Sequence, residues 1–312
     1  MDSPSRSLRL TGALLVALGA IAFSGKAIII KLAYRYGVDP LTLLALRMLF
    51  SAPLFLVLGV WASRGSVPLA RADWLKVMAL GFVGYYLSSL FDFIGLQYIT
   101  AALERLVLFL NPTFVVLLSA MLFGRRIAGR DVLALLLCYS GIALVFVNDF
   151  ATRQANVALG AGWVLLSALF YAVYLVGSGQ MLQRVGSVRF ACWASLVSCV
   201  AVVTHFFATK PAALLLDQPA PVHGLGILMA IVSTVLPIVM MAEGMRRIGP
   251  SHASMIGSVG PVGTIVLGAI FLGESITVVQ VAGAALVVAG VLFISFVKKP
   301  SAPVAAAEET PE

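Results

Sequence analysis

In the first half of this chain, five ionisable side chains fall inside apolar stretches, where a charge is costly. They are Lys26, Arg47, Asp92, Glu104 and Arg105. A charge at the centre of a bilayer costs at least about 2.5–3.5 kcal/mol on insertion scales, so such residues usually face a bundle interior and pair. At about 1.5 Å of rise per helical residue, all five fall in one layer. Lys26 and Asp92 lie deepest, so we expect Lys26 to attract a carboxylate and Asp92 an ammonium.

Two interpretations of this layer stay open from the sequence. A structural interpretation makes it an ion-pair network that holds the first four helices together, with Arg47 as a member beside Glu104. In the same interpretation Arg105 extends along its helix toward the nearer membrane surface. A functional interpretation makes Lys26 and Asp92 part of a binding site for a small polar molecule.

Seven further side chains have the chemistry to line the wall of such a site. They are Tyr85, Tyr86, Ser89, Tyr171, Tyr174, Ser178 and Trp193. Tyr171, Tyr174 and Ser178 follow a spacing of three and four residues, which puts them on one face of a helix. Packing is the ordinary role of a tyrosine stripe, and contact with a ligand is the alternative.

Three prolines fall within apolar stretches and are predicted hinges: Pro112, Pro237 and Pro261. A proline inside a helix removes one backbone hydrogen bond and frees a carbonyl group. Breaks at corresponding places of two repeats point to a binding site or a hinge, and a static kink is the alternative. We expect Pro112 and Pro261 at equivalent positions near the middle of their helices.

The composition identifies the elements that must position these residues. Of 312 residues, 61% are hydrophobic and 11% are charged, with a mean hydropathy of +1.04. Soluble domains carry about 25% charged residues, so an ordinary soluble enzyme is excluded. The sequence predicts an all-α polytopic membrane protein with ten transmembrane helices. The segments run near 10–30, 41–61, 75–97, 102–123, 132–149, 160–181, 190–209, 224–245, 252–272 and 277–297.

Basic residues predict the orientation of these helices. Of the 21 Lys and Arg residues, 14 fall on one side of the predicted membrane and 5 on the other. The positive-inside rule therefore places both termini in the cytoplasm, and the charged layer in the outer third. Residues 1–9 form a short cytoplasmic segment, and the Pro/Ala/Glu-rich tail 298–312 is expected to be disordered. We expect residence in a bacterial inner (plasma) membrane.

The two halves of the chain align at one constant offset of 149 residues. That offset relates Gly95 to Gly244, Ile99 to Ile248, Pro112 to Pro261 and Gly124 to Gly273. Each repeat, 10–148 and 159–297, contains five predicted helices. Because five is odd, the second repeat enters the membrane from the opposite side. Such inverted repeats are common in secondary transporters with a midplane site, and duplication within a membrane scaffold is the alternative.

Three stretches resemble a known family. They are GKAIIIKLAYRYGVDPLTLLALR (25–47), LNPTFVVLLSAMLFGRRI (110–127) and VGPVGTIVLGAIFLGESI (259–276). These stretches resemble the first hairpin and the two Pro-centred helices of the drug/metabolite transporter superfamily, in its ten-helix EamA branch. The resemblance implies a helical basket with a central substrate cavity, rocking of two half-bundles, and export.

One departure from the family pattern concerns the end of each Pro-centred helix, where the family usually has Gly-Glu. Gly273-Glu274 matches this pattern, whereas the first copy has Gly124-Arg125. A role carried by the first glutamate of the family therefore has no counterpart in this chain.

Three functional hypotheses follow. The first is a secondary transporter, in the exporting direction, of a small polar metabolite such as an amino acid. The second is an intramembrane serine hydrolase built on Ser178 and His205. The third is a non-transporting structural or sensory membrane protein. We expect no enzyme activity, cofactor, metal or nucleic acid. The expected partners are a small-molecule substrate and the lipid bilayer, with protons as candidate coupling ions, in a monomer or weak homodimer.

Overall fold

The regular structure of the protein is helical throughout the part of the chain that is described. The computed structural model describes residues 6–123, 129–151, 156–257 and 260–296, and no strand occurs among them. Gly124-Arg125 and the tail 298–312 therefore lie outside the described residues. The helices are α1 Arg6–Tyr34, α2 Pro40–Ser63, α3 Arg71–Gly81, α4 Ser88–Gly95, α5 Ala101–Leu108, α6 Asn111–Phe123, α7 Gly129–Ala151, α8 Val157–Val185, α9 Ser187–Thr209, α10 Ala213–Leu216, α11 Ala220–Ala230, α12 Leu236–Gly257, α13 Gly260–Leu267 and α14 Val278–Phe296.

Seven helical stretches are long and apolar enough to cross a membrane. They are Leu10–Tyr34, Pro40–Ser63, Arg71–Gly95, Ala101–Leu122, Val157–Gly179, Ser187–Thr209 and Ala220–Met241. Three shorter apolar helices, Leu136–Val147, Gly260–Leu272 and Val278–Gly290, complete the set within the described residues. The described chain thus has seven membrane-length helices, and the count of ten spans stays a prediction.

The connection expected between the eighth and ninth predicted segments is wrong. Residues 246–251 were predicted to form a loop, but they lie inside α12, which continues unbroken to Gly257. The predicted ninth segment therefore begins inside α12, and α13 contains part of its remainder. Apolar periodicity marks which residues enter a membrane, but it does not mark where a helix continues beyond it.

Three π-helical turns interrupt the α-helical hydrogen bonding, at Phe82–Leu87, Ile231–Val235 and Gly268–Leu272. The first joins α3 to α4, and the second joins α11 to α12. A π turn adds one residue to a helix, and it often occurs at functional sites. The first two turns begin 149 residues apart, at the offset that relates the two halves of the sequence.

The three predicted hinge prolines occupy different kinds of position. Pro112 follows Asn111 in the first turn of α6. Pro237 lies inside the continuous helical stretch Ala220–Met241, just after the second π turn, and Pro261 is the second described residue of α13. A missing N–H is tolerated in the first turn because that group has no intrahelical partner. The break between α5 and α6 spans residues 109–110, so the chain is interrupted just before Pro112.

The packing of the two halves follows one repeated scheme. Helix α1 packs along α12, as α4 packs along α8; α1 also contacts α13, as α8 contacts α6. Likewise α2 packs against α11, as α9 packs against α3. The pairs α2–α9 and α7–α14 bring corresponding helices of the two halves together. The largest apolar core lies around α1, α2, α4 and α9, next to the charged residues.

Candidate functional site

The five charged residues singled out in the sequence are all buried. We call Lys26, Arg47, Asp92, Glu104 and Arg105 the charge cluster; their exposed fractions run from 0% to 6%. They come from α1, α2, α4 and α5. A buried charge is tolerated only when it is paired and hydrogen-bonded, so the partners of each side chain decide what the cluster can do.

The ammonium group of Lys26 lies close to two carboxylates. Its Nζ lies 2.5 Å from Asp92 Oδ2 and 3.2 Å from Glu104 Oε1. These two contacts join α1 to α4 and α5. Among the described atoms, Asp92 Oδ1 and both oxygens of Glu104 lack a hydrogen bond. One ammonium therefore holds two carboxylates that retain unused acceptor capacity.

Arg105 is buried, and the expectation that it extends to the surface is wrong. Its Nη2 donates to Ser24 Oγ at 3.2 Å, which ties α5 to α1. The guanidinium also lies over the rings of Phe23 and Phe109, at 5.1 and 5.5 Å from their centroids. A planar, weakly hydrated guanidinium stacks well on aromatic rings, which explains why this cation stays inside. Its Nε is buried without a hydrogen-bond partner among the described residues.

Arg47 lies on the other side of the cluster, and it forms no ion pair within the described chain. Its Nε donates to Thr234 Oγ1 at 2.8 Å, and its guanidinium lies 5.6 Å from the centroid of the Phe93 ring. Its Nη1 is buried without a partner. Membership of Arg47 in a network of direct ion pairs is therefore wrong, because a hydroxyl and an aromatic face receive the guanidinium instead.

Four of the predicted wall residues form aromatic contacts between α8, α9 and the first π turn. The hydroxyl oxygens of Tyr85 and Tyr174 are 3.1 Å apart, and Tyr174 stacks on Tyr171 with centroids 5.5 Å apart. Tyr86 shares a hydrogen bond of 2.9 Å with His205 Nδ1. The hydroxyl groups of Tyr85, Tyr86 and Tyr174 are therefore hydrogen-bonded within the protein, as a packing role requires.

The other three predicted wall residues lie apart from this group. Trp193 Nε1 donates to Ser63 Oγ, and about 24 Å of helix rise separates that serine from Arg47. Ser178 is fully buried and donates to the Leu175 carbonyl of its own helix. Ser89 is half-buried and makes no hydrogen bond to a described residue. The structure therefore does not bring all seven predicted side chains around one site.

Ser178 and His205 do not form the catalytic pair that the hydrolase hypothesis requires. Ser178 Oγ is directed to a backbone carbonyl, while His205 binds the Tyr86 hydroxyl. A nucleophilic serine requires a base within hydrogen-bond reach. The described residues also contain no group of three or more His, Cys, Asp or Glu that could hold a metal ion.

A surface cavity of about 350 Å³ lies beyond the charge cluster. Its lining residues are Lys31, Tyr34, Arg35, Leu96, Gln97, Leu272 and Glu274. Tyr34 donates to the carbonyl of Phe93, the residue after Asp92, at 2.6 Å. Arg35 Nη2 donates to the Leu272 carbonyl at 2.7 Å. Lys26 and Asp92 do not line this cavity, so in this conformation the cluster is closed off from it.

Two residues that hold the cluster were missed by sequence reasoning. Ser24 Oγ lies 2.8 Å from the Ala20 carbonyl oxygen and 2.9 Å from that of Gly260, and it accepts from Arg105. Thr234 accepts from Arg47 and lies within 2.9 Å of the Met229 carbonyl. Hydroxyl residues are common in apolar segments, and only their proximity to a buried cation distinguishes these two.

Apolar, membrane-length helices that enclose buried charges define an integral membrane protein with a polar interior site. The EamA-like transporter family matches the chain twice, over residues 10–147 and 158–296. The chain belongs to this family, and it is accordingly a transporter by family and not an enzyme.

Curated relatives agree with this assignment. The chain is 33% identical over 288 residues to the uncharacterized transporter YcbK of Bacillus subtilis, covering 91% of each protein. It is 26% identical over 207 residues to a probable terminal-alkyne amino-acid exporter of Streptantibioticus cattleyicolor, covering 64% of this chain and 66% of that protein. A solved crystal structure of 19% identity has the same fold, with a TM-score of 0.62 and coverage of 94% and 98%.

Proposed function

We propose that the protein is a secondary transporter that exports a small polar metabolite of the amino-acid type. The observation that carries the proposal is the position of Lys26 between Asp92 and Glu104, at 2.5 and 3.2 Å, on three different helices. A lysine in an apolar interior is expensive, and its counterpart at the repeat offset, Leu175, is uncharged. The fold therefore does not need this charge in both halves.

Ion-pair exchange explains how such a cluster binds a zwitterion. A substrate carboxylate takes the place of a protein carboxylate at Lys26, and a substrate ammonium binds the released Asp92. Each charge keeps a partner throughout, so the large penalty for an unpaired buried charge is avoided. In the closed conformation Lys26 is paired with Asp92 and Glu104, and the ligand competes with these contacts.

The transport cycle is proposed to be alternating access, in which two half-bundles rock around a central cavity. The paired packing of α1–α12 and α4–α8, and of α2–α11 and α9–α3, supports ten spans built as two inverted five-helix repeats. The break at residues 109–110, just before Pro112, is a candidate hinge, and Pro261 stands at the corresponding place of the second half by the offset of 149 residues. The basic residues support cytoplasmic termini in a bacterial inner membrane.

The amino-acid class is supported by charge chemistry and by one relative. The Streptantibioticus cattleyicolor relative is a probable terminal-alkyne amino-acid exporter. Protons are the proposed coupling ions because two carboxylates compete for one lysine. A monomer or weak homodimer is proposed, since the described cluster is built within one chain.

Counterflow into proteoliposomes tests the proposal. Vesicles loaded with unlabelled amino acids are expected to take up labelled amino acid only when the protein is present. The matched control is the triple variant K26M/D92N/E104Q, which removes the charges together and leaves no unpaired buried ion. Equal counterflow by the wild type and the control, or no counterflow with any amino acid, would contradict the proposal.

A further inference from the structure

Arg105 is a buried cation that forms no direct ion pair with a described carboxylate. Its side chain is 6% exposed, and no described carboxylate lies within ion-pair distance of its guanidinium. Nη2 donates to Ser24 Oγ, whereas the buried Nε has no acceptor. A guanidinium stays charged at every accessible pH, so it cannot escape this position by losing a proton. The Nε–H is therefore a strong donor that is available to an incoming acceptor.

The guanidinium lies next to the site of Lys26. Both cations face the same ring, with Lys26 Nζ at 5.5 Å and Arg105 Cζ at 5.1 Å from the Phe23 centroid. A methyl group at Gly260 would lie 2.7 Å from Arg105 Nη2, so the missing side chain lets the guanidinium rest against α13. Arg105 is thus held between α1 and α13, beside the lysine and away from Arg47.

The net charge of the cluster indicates which net charge a bound ligand should carry. Three cations face two carboxylates, and all five side chains are less than a tenth exposed. A zwitterion of zero net charge leaves one cation in excess, whereas a ligand of net charge −1 neutralises it. Protonation of Glu104 would only enlarge the excess.

We infer that Arg105 binds a second acidic group of the substrate, so that the transported amino acid is an acidic one with two carboxylates. This inference rests on the proposed function. Lys26 takes one carboxylate, Asp92 takes the ammonium, and the fork of Arg105 takes the other carboxylate. Arginine suits this task because its planar donors match a carboxylate in pairs.

Matched acids and amides test the inference on the purified protein. Affinities for L-glutamate and L-glutamine, and for succinate and succinamate, are measured by calorimetry. The wild type is expected to bind each acid at least about tenfold more tightly than its amide, as a charged hydrogen bond to arginine implies. R105Q is expected to lose this preference while still binding L-glutamine, and R105K to retain only part of it.

The acid-to-amide ratio separates binding from a structural role, because a loss of packing weakens both ligands together. Amides that bind as tightly as acids in the wild type, or an unchanged ratio in R105Q, would overturn the inference. If the inference fails in this way, L-glutamine counterflow in proteoliposomes would still support the proposed function. If R105Q does not fold, an unchanged ratio in R105K overturns the inference equally. If no amino acid binds, the proposed function fails, and the succinate pair alone then decides the anion site.

Discussion

Gly95 and Gly244 make the same close contact in opposite halves of the chain. A methyl group at Gly95 would lie 2.5 Å from Val164 Cγ2 and 2.8 Å from the carbonyl oxygen four residues before that valine. A methyl group at Gly244 would lie 2.5 Å from Val16 Cγ2 and 2.9 Å from the corresponding oxygen. The first contact joins α4 to α8, and the second joins α12 to α1, as the repeated packing scheme requires.

Alanine at either glycine is therefore expected to destabilise the protein to a similar extent. G95A and G244A each place a methyl group against a backbone carbonyl that cannot move independently of its helix, at a cost of about 1–3 kcal/mol. Thermal unfolding in detergent measures the loss. The control is G162A on α8, where nothing lies within 4 Å, and which is expected to be neutral or slightly stabilising. A large loss at only one of the two glycines would contradict the equivalence of the crossings.

Loss of Lys26 is expected to leave two buried carboxylates without a cation. K26M keeps the length of the side chain, but removal of one partner from a buried ion pair costs about 3–5 kcal/mol. Because Lys26 contacts both Asp92 and Glu104, D92N alone is expected to restore only part of this stability. The triple variant K26M/D92N/E104Q is expected to fold like the wild type and to lack flux. Full rescue of folding by D92N alone would mean that the contact with Glu104 contributes little.

Thr234 is expected to be needed for its hydroxyl and not for its shape. T234V is nearly isosteric but deprives the buried guanidinium of Arg47 of its hydrogen bond, which costs about 1.5–3 kcal/mol. T234S keeps the hydroxyl and is expected to retain most of the stability. Chemical denaturation of the two variants in the same detergent compares them. Equal stability of T234V and T234S would show that Phe93 alone suffices to hold Arg47.

Asp39 is expected to make the start of α2 sensitive to acid. Its partial burial raises the pKa of the carboxyl, but hydrogen bonds from Lys210 and Thr42 outweigh this effect and hold the pKa below its usual value. A carboxyl with a lowered folded pKa stabilises the fold above its unfolded pKa of about 3.9 and loses that contribution as the pH falls through the folded pKa. Asp39 also accepts from the backbone N–H groups of Leu41 and Thr42 as a helix cap.

Stability measured from pH 7 downward tests this expectation. The wild type is expected to lose the Asp39 contribution only below about pH 4, whereas D39N lacks that acid-dependent part. The cap is worth about 1 kcal/mol, and the partly exposed ion pair with Lys210 contributes less than that. D39S keeps a cap without the charge, and K210M removes only the ion pair. An identical acid dependence in the wild type and D39N would refute the role of this carboxyl.

The sequence predicted the residues of the charge cluster but not all of their partners. Depth along each helix places Lys26 and Asp92 at one level, and ion pairing in an apolar interior then follows from the cost of an isolated charge. The buried position of Arg105 could not be predicted from the sequence. It depends on the space left by Gly260 and on the rings of Phe23 and Phe109. Such contacts are tertiary and leave no periodic signal.

The π turns and the tyrosine contacts were unpredictable for a related reason. A methyl group at Gly84 would overlap Tyr174 Cβ, so the first π turn passes very close to α8. The helical face shared by Tyr171, Tyr174 and Ser178 was deducible from spacing. Which neighbour covers that face was not, and the partner of Trp193 proved to be Ser63.

The two π turns at Phe82–Leu87 and Ile231–Val235 bear on the history of the chain. Each is an α-helix with one residue too many, which the wide turn takes up while the helix continues beyond it. Two independent insertions would have had to arise at the same register in both halves. A single insertion in a half-length ancestor, copied when its gene doubled, requires only one such event. On that account, the irregularity is older than the full-length protein.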